Sequence, residues 1–404
     1  MHVPAPPTWQ PGRYDRRVAD VPLVDLASQR HRLGGRVEAA IARVLEHGSF
    51  ILGPEVAELE ERLAAYVGIG HAVACSSGTD ALLMTFMAHG VGPGDAVVVP
   101  SFTFAAAAET VVLSGAVPVF ADVLPDTFDL APKSLELAVD AATSSGLRAA
   151  AVVAVDLYGQ PVDYDAVVAV CEARGLLLVA DAAQSFGGAW RGRRVGGLAD
   201  ITTTSFFPSK PLGGYGDGGA IFTDDANVAE RLRSVRAHGR GTSKYDNVRL
   251  GLNARLDTLQ AAILLEKLEF VDEERDARAR VAAGYSKRLP STVSVPAVRS
   301  AATSAWAHYT VRVDHRDELA AALAAKGVAT AVYYPTPLHW QPAYAEYPRA
   351  TEDLGVSDAL AATVLSLPLH AYLDEASQDR VIEAVTHAVA DRSWPTGGTR
   401  GSGR

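Results

Sequence analysis

The chain has 404 residues, 48% of them hydrophobic, and a net charge of −10. That length can bury a large core and allows two or three domains, while the acidic balance gives no electrostatic support for a nucleic-acid partner. Cys75 and Cys171 are the only cysteines, which excludes a disulfide framework and a cysteine-rich zinc site and points to a reducing compartment.

Residues 1–20 carry four prolines and several charges but no apolar signal core. No run approaches the roughly 18 apolar residues of a membrane span. The chain therefore reads as cytoplasmic, with no membrane partner. Residues 1–20 read as a loose extension, and the Gly-rich residues 392–404 as a disordered tail.

Apolar residues at helical spacing predict a helix over 37–44, and Pro54 opens a second through 67. Between them, His47-Gly48-Ser49-Phe50-Ile51-Leu52-Gly53 is either a hydrophobic plug or a loop covering a ligand. A strand over 71–75 leads through Ser76-Ser77-Gly78-Thr79-Asp80 into a helix ending near 89. Small hydroxyl residues and Gly at such a junction make either a phosphate cradle or an ordinary N-cap. After a turn at 91–95 and a strand over 96–99, Phe102 and Phe104 enter an Ala-rich helix. They lie two residues apart and cannot share a helical face.

Strand and helix then alternate: strand 117–120, helix 132–142, strand 150–155, helix 163–173, strand 176–180. Alternation of this kind predicts an α/β fold with a mostly parallel sheet between helices. Asp156 follows the strand at 150–155 and reads as a turn residue or, by position, a catalytic one. A helix over 225–238, a long helix over 257–280, and a smaller unit from about 282 complete the pattern. That unit has strands over 306–313 and 329–332 and helices over 316–325 and 376–390. His339 and His370 read as structural. No metal-spaced cluster or repeat appears, so no metal is expected.

The chemistry concentrates between 180 and 219. Asp181 sits at the end of an apolar strand, and Lys210 follows 29 residues later in Ser205-Phe206-Phe207-Pro208-Ser209-Lys210-Pro211-Leu212-Gly213. A strand delivers its last residue to the carboxyl edge of the sheet, where α/β enzymes bind ligands. No acidic residue lies within five positions of Lys210. Asp and Lys so placed suit pyridoxal phosphate: the lysine can form a Schiff base with the aldehyde, and the Asp can pair with the protonated pyridine nitrogen. The bland alternatives are a helix-capping Asp and a solvated Lys.

This stretch, with Gly216-Asp217-Gly218-Gly219-Ala220-Ile221-Phe222-Thr223, closely resembles the DegT/DnrJ/StrS family of sugar-nucleotide aminotransferases, over about residues 21–389. Within it, the chain looks most like the branch that aminates the 3-keto group of a UDP-linked 2-acetamido sugar uronate. The resemblance implies a fold type I pyridoxal phosphate transferase. Its large cofactor domain would span 21–281 and a smaller C-terminal α+β domain 282–391. It implies Lys210 as cofactor anchor and proton carrier, Asp181 on the pyridine nitrogen, and Gln184 on the phenolic oxygen. Phe104 would stack on the ring, with Gly78, Thr79, Ser205 and a partner's Asn253 on the phosphate.

Arg255, Tyr333 and Phe50 would approach the sugar nucleotide, although Arg255 read by itself is a surface ion-pair residue. Relatives in the uronate branch often carry His where this chain has Tyr333, which offers a hydrogen bond but no positive charge. The reaction implied is ping-pong transfer from L-glutamate to a nucleotide-linked ketosugar in polysaccharide synthesis, in a homodimer with shared sites. The alternatives are a dTDP-ketodeoxysugar substrate in secondary metabolism, or a catalytically silent binding protein.

Overall fold

The computed structural model describes residues 20–243 and 245–390, so the expected extension before Asp20 and the tail at 392–404 lie outside the described residues. Three helices come first: α1 (Leu26–Leu33), α2 (Arg36–His47) and α3 (Pro54–Val67). Strand and helix then alternate through β1 (His71–Cys75), α4 (Gly78–His89), β2 (Asp95–Pro100), α5 (Ala106–Leu113), β3 (Val117–Ala121), α6 (Pro132–Ser144), β4 (Arg148–Val155), α7 (Tyr164–Arg174) and β5 (Leu177–Asp181). The short β6 (Ala189–Trp190) and β7 (Arg193–Arg194) precede β8 (Ile201–Ser205) and β9 (Gly219–Thr223). Then come α8 (Ala226–Val235), α9 (Thr258–Leu268) and α10 (Val271–Arg288). The last part holds β10 (Ala302–Thr303), β11 (Tyr309–Arg312), α11 (Arg316–Ala325), α12 (Gly355–Thr363), β12 (Val364–Leu367) and α13 (Glu375–Ala390).

Seven strands form the central sheet in the order β1-β9-β8-β5-β4-β2-β3. All are parallel except β9, which runs against both β1 and β8. The fold is thus of the α/β class read from the alternation. Buried parallel strands need continuous apolar runs, and β4 supplies Ala-Ala-Ala-Val-Val-Ala-Val over 149–155. Helices α4, α5 and α8 cover one face, and α6 and α7 the other. Leu59 and Leu63 of α3 are fully buried against α9 and the β1–β9 end of the sheet. Burial of such a side chain stabilises by about 1.5–3 kcal/mol.

Local signals set the helix ends. Pro54 stands at the first turn of α3, where its missing N–H costs nothing, and Gly68 closes that helix at φ 77. Asp163 caps α7 by accepting the Ala166 N–H at 3.1 Å. A third layer of core, around Tyr285, Tyr309, Leu319 and Val385, joins α10, α11 and α13 to the antiparallel pair β11–β12. Helix α10 runs unbroken through residues 281 and 282.

Two element expectations are corrected. The helix expected over 257–280 is two helices, broken at Glu269 and Phe270. There the Phe270 ring lies under the guanidinium groups of Arg32 and Arg36, at 4.9 and 5.3 Å, beside the small core formed by Leu33, Val37 and Ile263. Tertiary packing thus overrides a run of good helix formers. Residues 329–332 are not a strand: Val328 and Ala331 make single bridges to Val21 and Ser366.

Candidate active site

The strand register levels the centre of the sheet's carboxyl edge. Val155 pairs with Asp181, Asp181 with Thr203, and Gly219 with both Ser205 and Cys75. The chain leaves β1, β4, β5 and β8 at this edge, and a cavity of about 410 Å³ opens there. Gly78, Thr79, Phe104, Asp181, Gln184, Ser205, Lys210 and Tyr333 all line it.

At one end, Ser77 caps α4 by accepting the Asp80 N–H at 3.0 Å. The hydroxyls of Ser76 and Ser77 donate to Asp80 Oδ2 at 2.5 and 3.0 Å. The N–H groups of Gly78 and Thr79 are in the first turn, where a helix offers no partner. Gly78 is required here: a Cβ would stand 2.7 Å from the Ser205 Cβ. The ends of β1 and β8 therefore close a cradle of backbone N–H groups and hydroxyls, suited to an anion.

Lys210 sits in a tight loop that follows β8. Its N–H donates to the Phe207 carbonyl at 2.9 Å, and Gly214 N–H closes onto the Phe206 carbonyl at 2.7 Å. Burial pushes the Lys210 ammonium below its ordinary value, against the pull of the Asp181 carboxylate. Burial likewise pushes the Asp181 carboxyl up, against the Ala183 N–H, which donates to Oδ1 at 3.0 Å, and against Lys210. Both groups are half-buried at the cavity, and each only partly supports the other's charge. No helix follows Asp181, so its carboxylate caps only the turn at Ala183.

Gln184 is buried; its Oε1 accepts the Tyr158 N–H at 2.8 Å, and its amide also hydrogen-bonds the Tyr334 hydroxyl at the cavity. Phe102 and Phe104 lie not in a helix, as expected, but in the loop before α5, which begins at Ala106; Phe102 is in the core, while Phe104 is 56% exposed at the cavity. Its ring lies 6.0 Å from that of Tyr334.

Tyr334, His308 and Asp217 also line the cavity and were not singled out in the sequence. His308 is held neutral by burial, aided by the nearby Lys210, with its pKa pushed down to about 3. Asp156 is a buried turn residue, taking the Val162 N–H at 2.8 Å and the Ser185 hydroxyl at 2.6 Å. His339 lies elsewhere, with Nδ1 2.5 Å from Ser101 Oγ.

The sequence profile of the DegT/DnrJ/EryC1/StrS aminotransferase family matches residues 32–386. The chain belongs to this family.

It is 47% identical over 368 residues to the UDP-2-acetamido-2-deoxy-3-oxo-D-glucuronate aminotransferase of Pseudomonas aeruginosa, covering 91% of this chain and 100% of that one. A DegT DnrJ EryC1 StrS aminotransferase from Brucella abortus superposes with a TM-score of 0.89 at 48% identity, covering 90% of this chain and 98% of that one. NtdA from Bacillus subtilis, solved with bound cofactor PMP, superposes with a TM-score of 0.82 at 29% identity, covering 93% and 86%.

Three residues expected at the site of this aminotransferase do not line the cavity of their own chain: Phe50, Asn253 and Arg255. Asn253 bridges to Ala237, and the carbonyl of Ala254, between Asn253 and Arg255, accepts the Ser76 N–H at 3.2 Å. The Thr258 N–H donates to the Phe50 carbonyl at 2.9 Å, and Ile51 bridges to Asp257. Phe50, Ile51 and Leu52 are exposed, as are Val248 and Leu250 of the loop leading to Asn253. Arg255 Nε is buried without a hydrogen-bond partner.

Proposed function

We propose that this aminotransferase moves an amino group from L-glutamate to the 3-keto group of a UDP-linked 2-acetamido sugar uronate, using pyridoxal phosphate, in a ping-pong sequence. The observation that carries the reading is that half-buried Lys210 and Asp181 face one cavity with the Gly78–Ser205 cradle at its end.

The residues present fit the cofactor. Asp181 is a desolvated carboxylate with one N–H donor and a distant ammonium, an environment that favours a cation against its free oxygen. The unpartnered N–H groups in the first turn of α4, brought against Ser205 by the missing side chain of Gly78, would accept a phosphate. Pyridoxal phosphate, when bound, supplies an aldehyde for amine exchange and a ring that accepts the electrons released when a C–H bond breaks. Lys210 Nζ would hold that aldehyde, and its lowered basicity favours the neutral amine such a bond needs. The same amine would move the proton at the amine-bearing carbon. Asp181 would pair with the pyridine nitrogen, Gln184 Nε2 would donate to the phenolic oxygen, Phe104 would stack on the ring, and Gly78, Thr79 and Ser205 would hold the phosphate.

Asn253 and Arg255 would complete the neighbouring site of a homodimer. The exposed apolar residues around Phe50 and Leu250 support that assembly. Arg255 would then supply the cation that Tyr333 lacks. The enzyme would work in the cytoplasm and feed polysaccharide synthesis.

The test is an absorbance spectrum of protein loaded with pyridoxal phosphate, before and after L-glutamate. The expected result is a visible band that glutamate bleaches while 2-oxoglutarate forms. A panel of UDP- and dTDP-linked ketosugars should then restore it, the UDP uronate fastest. A folded protein with no visible band would overturn Lys210 as anchor. Restoration by dTDP-ketodeoxysugars alone would replace the substrate assignment.

A further inference from the structure

The turn at Leu157–Gly159 reaches the cavity from behind, and Tyr158 spends every polar group it has there. Its N–H donates to Gln184 Oε1 at 2.8 Å. Its carbonyl accepts the His308 N–H at 3.2 Å. Its hydroxyl donates to the Tyr333 carbonyl. Its ring meets His308 edge-on, with centroids 6.2 Å apart, and Phe128 at 5.0 Å. Gln184, His308 and Tyr333 all line the cavity, whereas Tyr158 does not. Gln184 follows β5; His308 and Tyr333 come from the last quarter of the chain. Beside the direct hydrogen bond of Gln184 to Tyr334, this one residue therefore ties the wall expected to hold the cofactor to the His308–Tyr333 wall.

The next residue shows how closely these segments meet. Gly159 has φ 105, and a Cβ on it would stand 2.7 Å from Trp306 N, 2.8 Å from Ala307 N and 2.9 Å from the Gln184 carbonyl oxygen. The Ala305 N–H donates to the Gly159 carbonyl at 2.8 Å. Tyr158 itself adopts φ 60, a conformation that bulky L residues adopt rarely and keep only when their surroundings over-determine it. A core tyrosine chosen only for volume does not require that backbone, nor three bonds to three cavity residues.

We propose that Tyr158 is a positioning residue for transamination: it fixes the His308–Tyr333 wall against Gln184, so that the sugar seated on one wall meets the cofactor held by the other. The roles of the two walls rest on the function proposed above; the mechanical tie does not. A buried neutral hydrogen bond contributes about 1 kcal/mol, which corresponds to roughly a fivefold change in an equilibrium constant.

Tyr158→Phe removes the hydroxyl's bonds to Tyr333 and Thr310 and leaves the ring, the N–H and the carbonyl. In the cofactor-loaded protein we expect amide hydrogen exchange to speed up roughly fivefold in residues 331–338, with residues 177–186 unchanged. The visible band and its bleaching by glutamate should stay within about twofold, while KM for the ketosugar rises about fivefold or more. Unchanged exchange in 331–338 would overturn the tie. A loss falling equally on both half-reactions, accompanied by a lower Tm, would overturn positioning in favour of a simple core role. Failure of the parent enzyme to bleach or to use any ketosugar would sink the function instead, and the exchange comparison would still decide the tie.

Discussion

A Cβ placed on Gly78 would lie 2.7 Å from the Cβ of Ser205 and 3.2 Å from its Oγ. The first turn of α4 and the end of β8 approach so closely because residue 78 has no side chain. Gly78→Ala must push one of them back, at about 1–3 kcal/mol of overpacking. The strain falls on the cradle, so the cofactor should bind about 10- to 100-fold more weakly, with a small change in Tm of the cofactor-free protein. Equilibrium titration of the visible band measures it. An unchanged Kd would place the phosphate elsewhere.

Lys210→Ala should abolish the visible band and lower transamination by about 10³-fold or more. The fold should survive, because the substitution removes an ammonium that burial already disfavours. Tm of the cofactor-free variant should equal or exceed that of the parent. Retained turnover would sink the lysine's role.

Asp181→Asn keeps the shape and removes the charge. The variant should still show the band and keep its Lys210 anchor, but its turnover should fall by about 10²–10⁴-fold, because the ring nitrogen loses the group that holds its proton. Turnover within a fewfold of the parent would assign Asp181 to the turn at Ala183 alone.

Much of this site was legible because its chemistry is written at element junctions. Asp181 ends a five-residue strand, Ser205 ends another, and Gly78 opens a helix directly after β1. Period and turn residues locate such ends, and the register then brings them level. His308 and Tyr334 were not legible. Each sits in irregular backbone just before or well after β11 and reaches the cavity only because the C-terminal segments dock on the turn at Tyr158. No local pattern encodes that docking. The break at Phe270 was hidden for the same reason, since its cause is two arginines more than 230 positions away.

His308 gives a pH prediction with a definite sign. Its pKa falls from 6.5 to about 3 through burial, with Lys210 adding to the effect. Between those values the unfolded chain binds more protons than the folded one, so stability falls as the pH drops from about 6.5 toward 3 and is unaffected above that window. His308→Gln removes this group. Its Tm should decline less steeply than the parent's between pH 6.5 and 4.5, with no pH-dependent difference above pH 8. Parallel curves throughout would mean that the imidazole is not held neutral.

Shared sites can be tested without a structure of the dimer. Asn253 and Arg255 do not line the cavity of their own chain, although Ala254 between them accepts the Ser76 N–H, and Leu250 nearby is 87% exposed. If each chain completes its partner's site, Lys210→Ala and Arg255→Ala subunits carry their defects in different halves. Alone, each variant should be nearly inactive. Co-expressed, random pairing makes about half the dimers mixed, and each mixed dimer has one site with both residues intact, so about a quarter of the parental activity should return. The same proteins mixed as preformed, non-exchanging dimers should recover nothing. An Arg255→Ala homodimer with full activity, or a co-expressed pair with no gain, would remove Arg255 from the shared site and leave the uronate carboxylate to groups of the cavity's own chain, where Tyr333 offers only a hydroxyl.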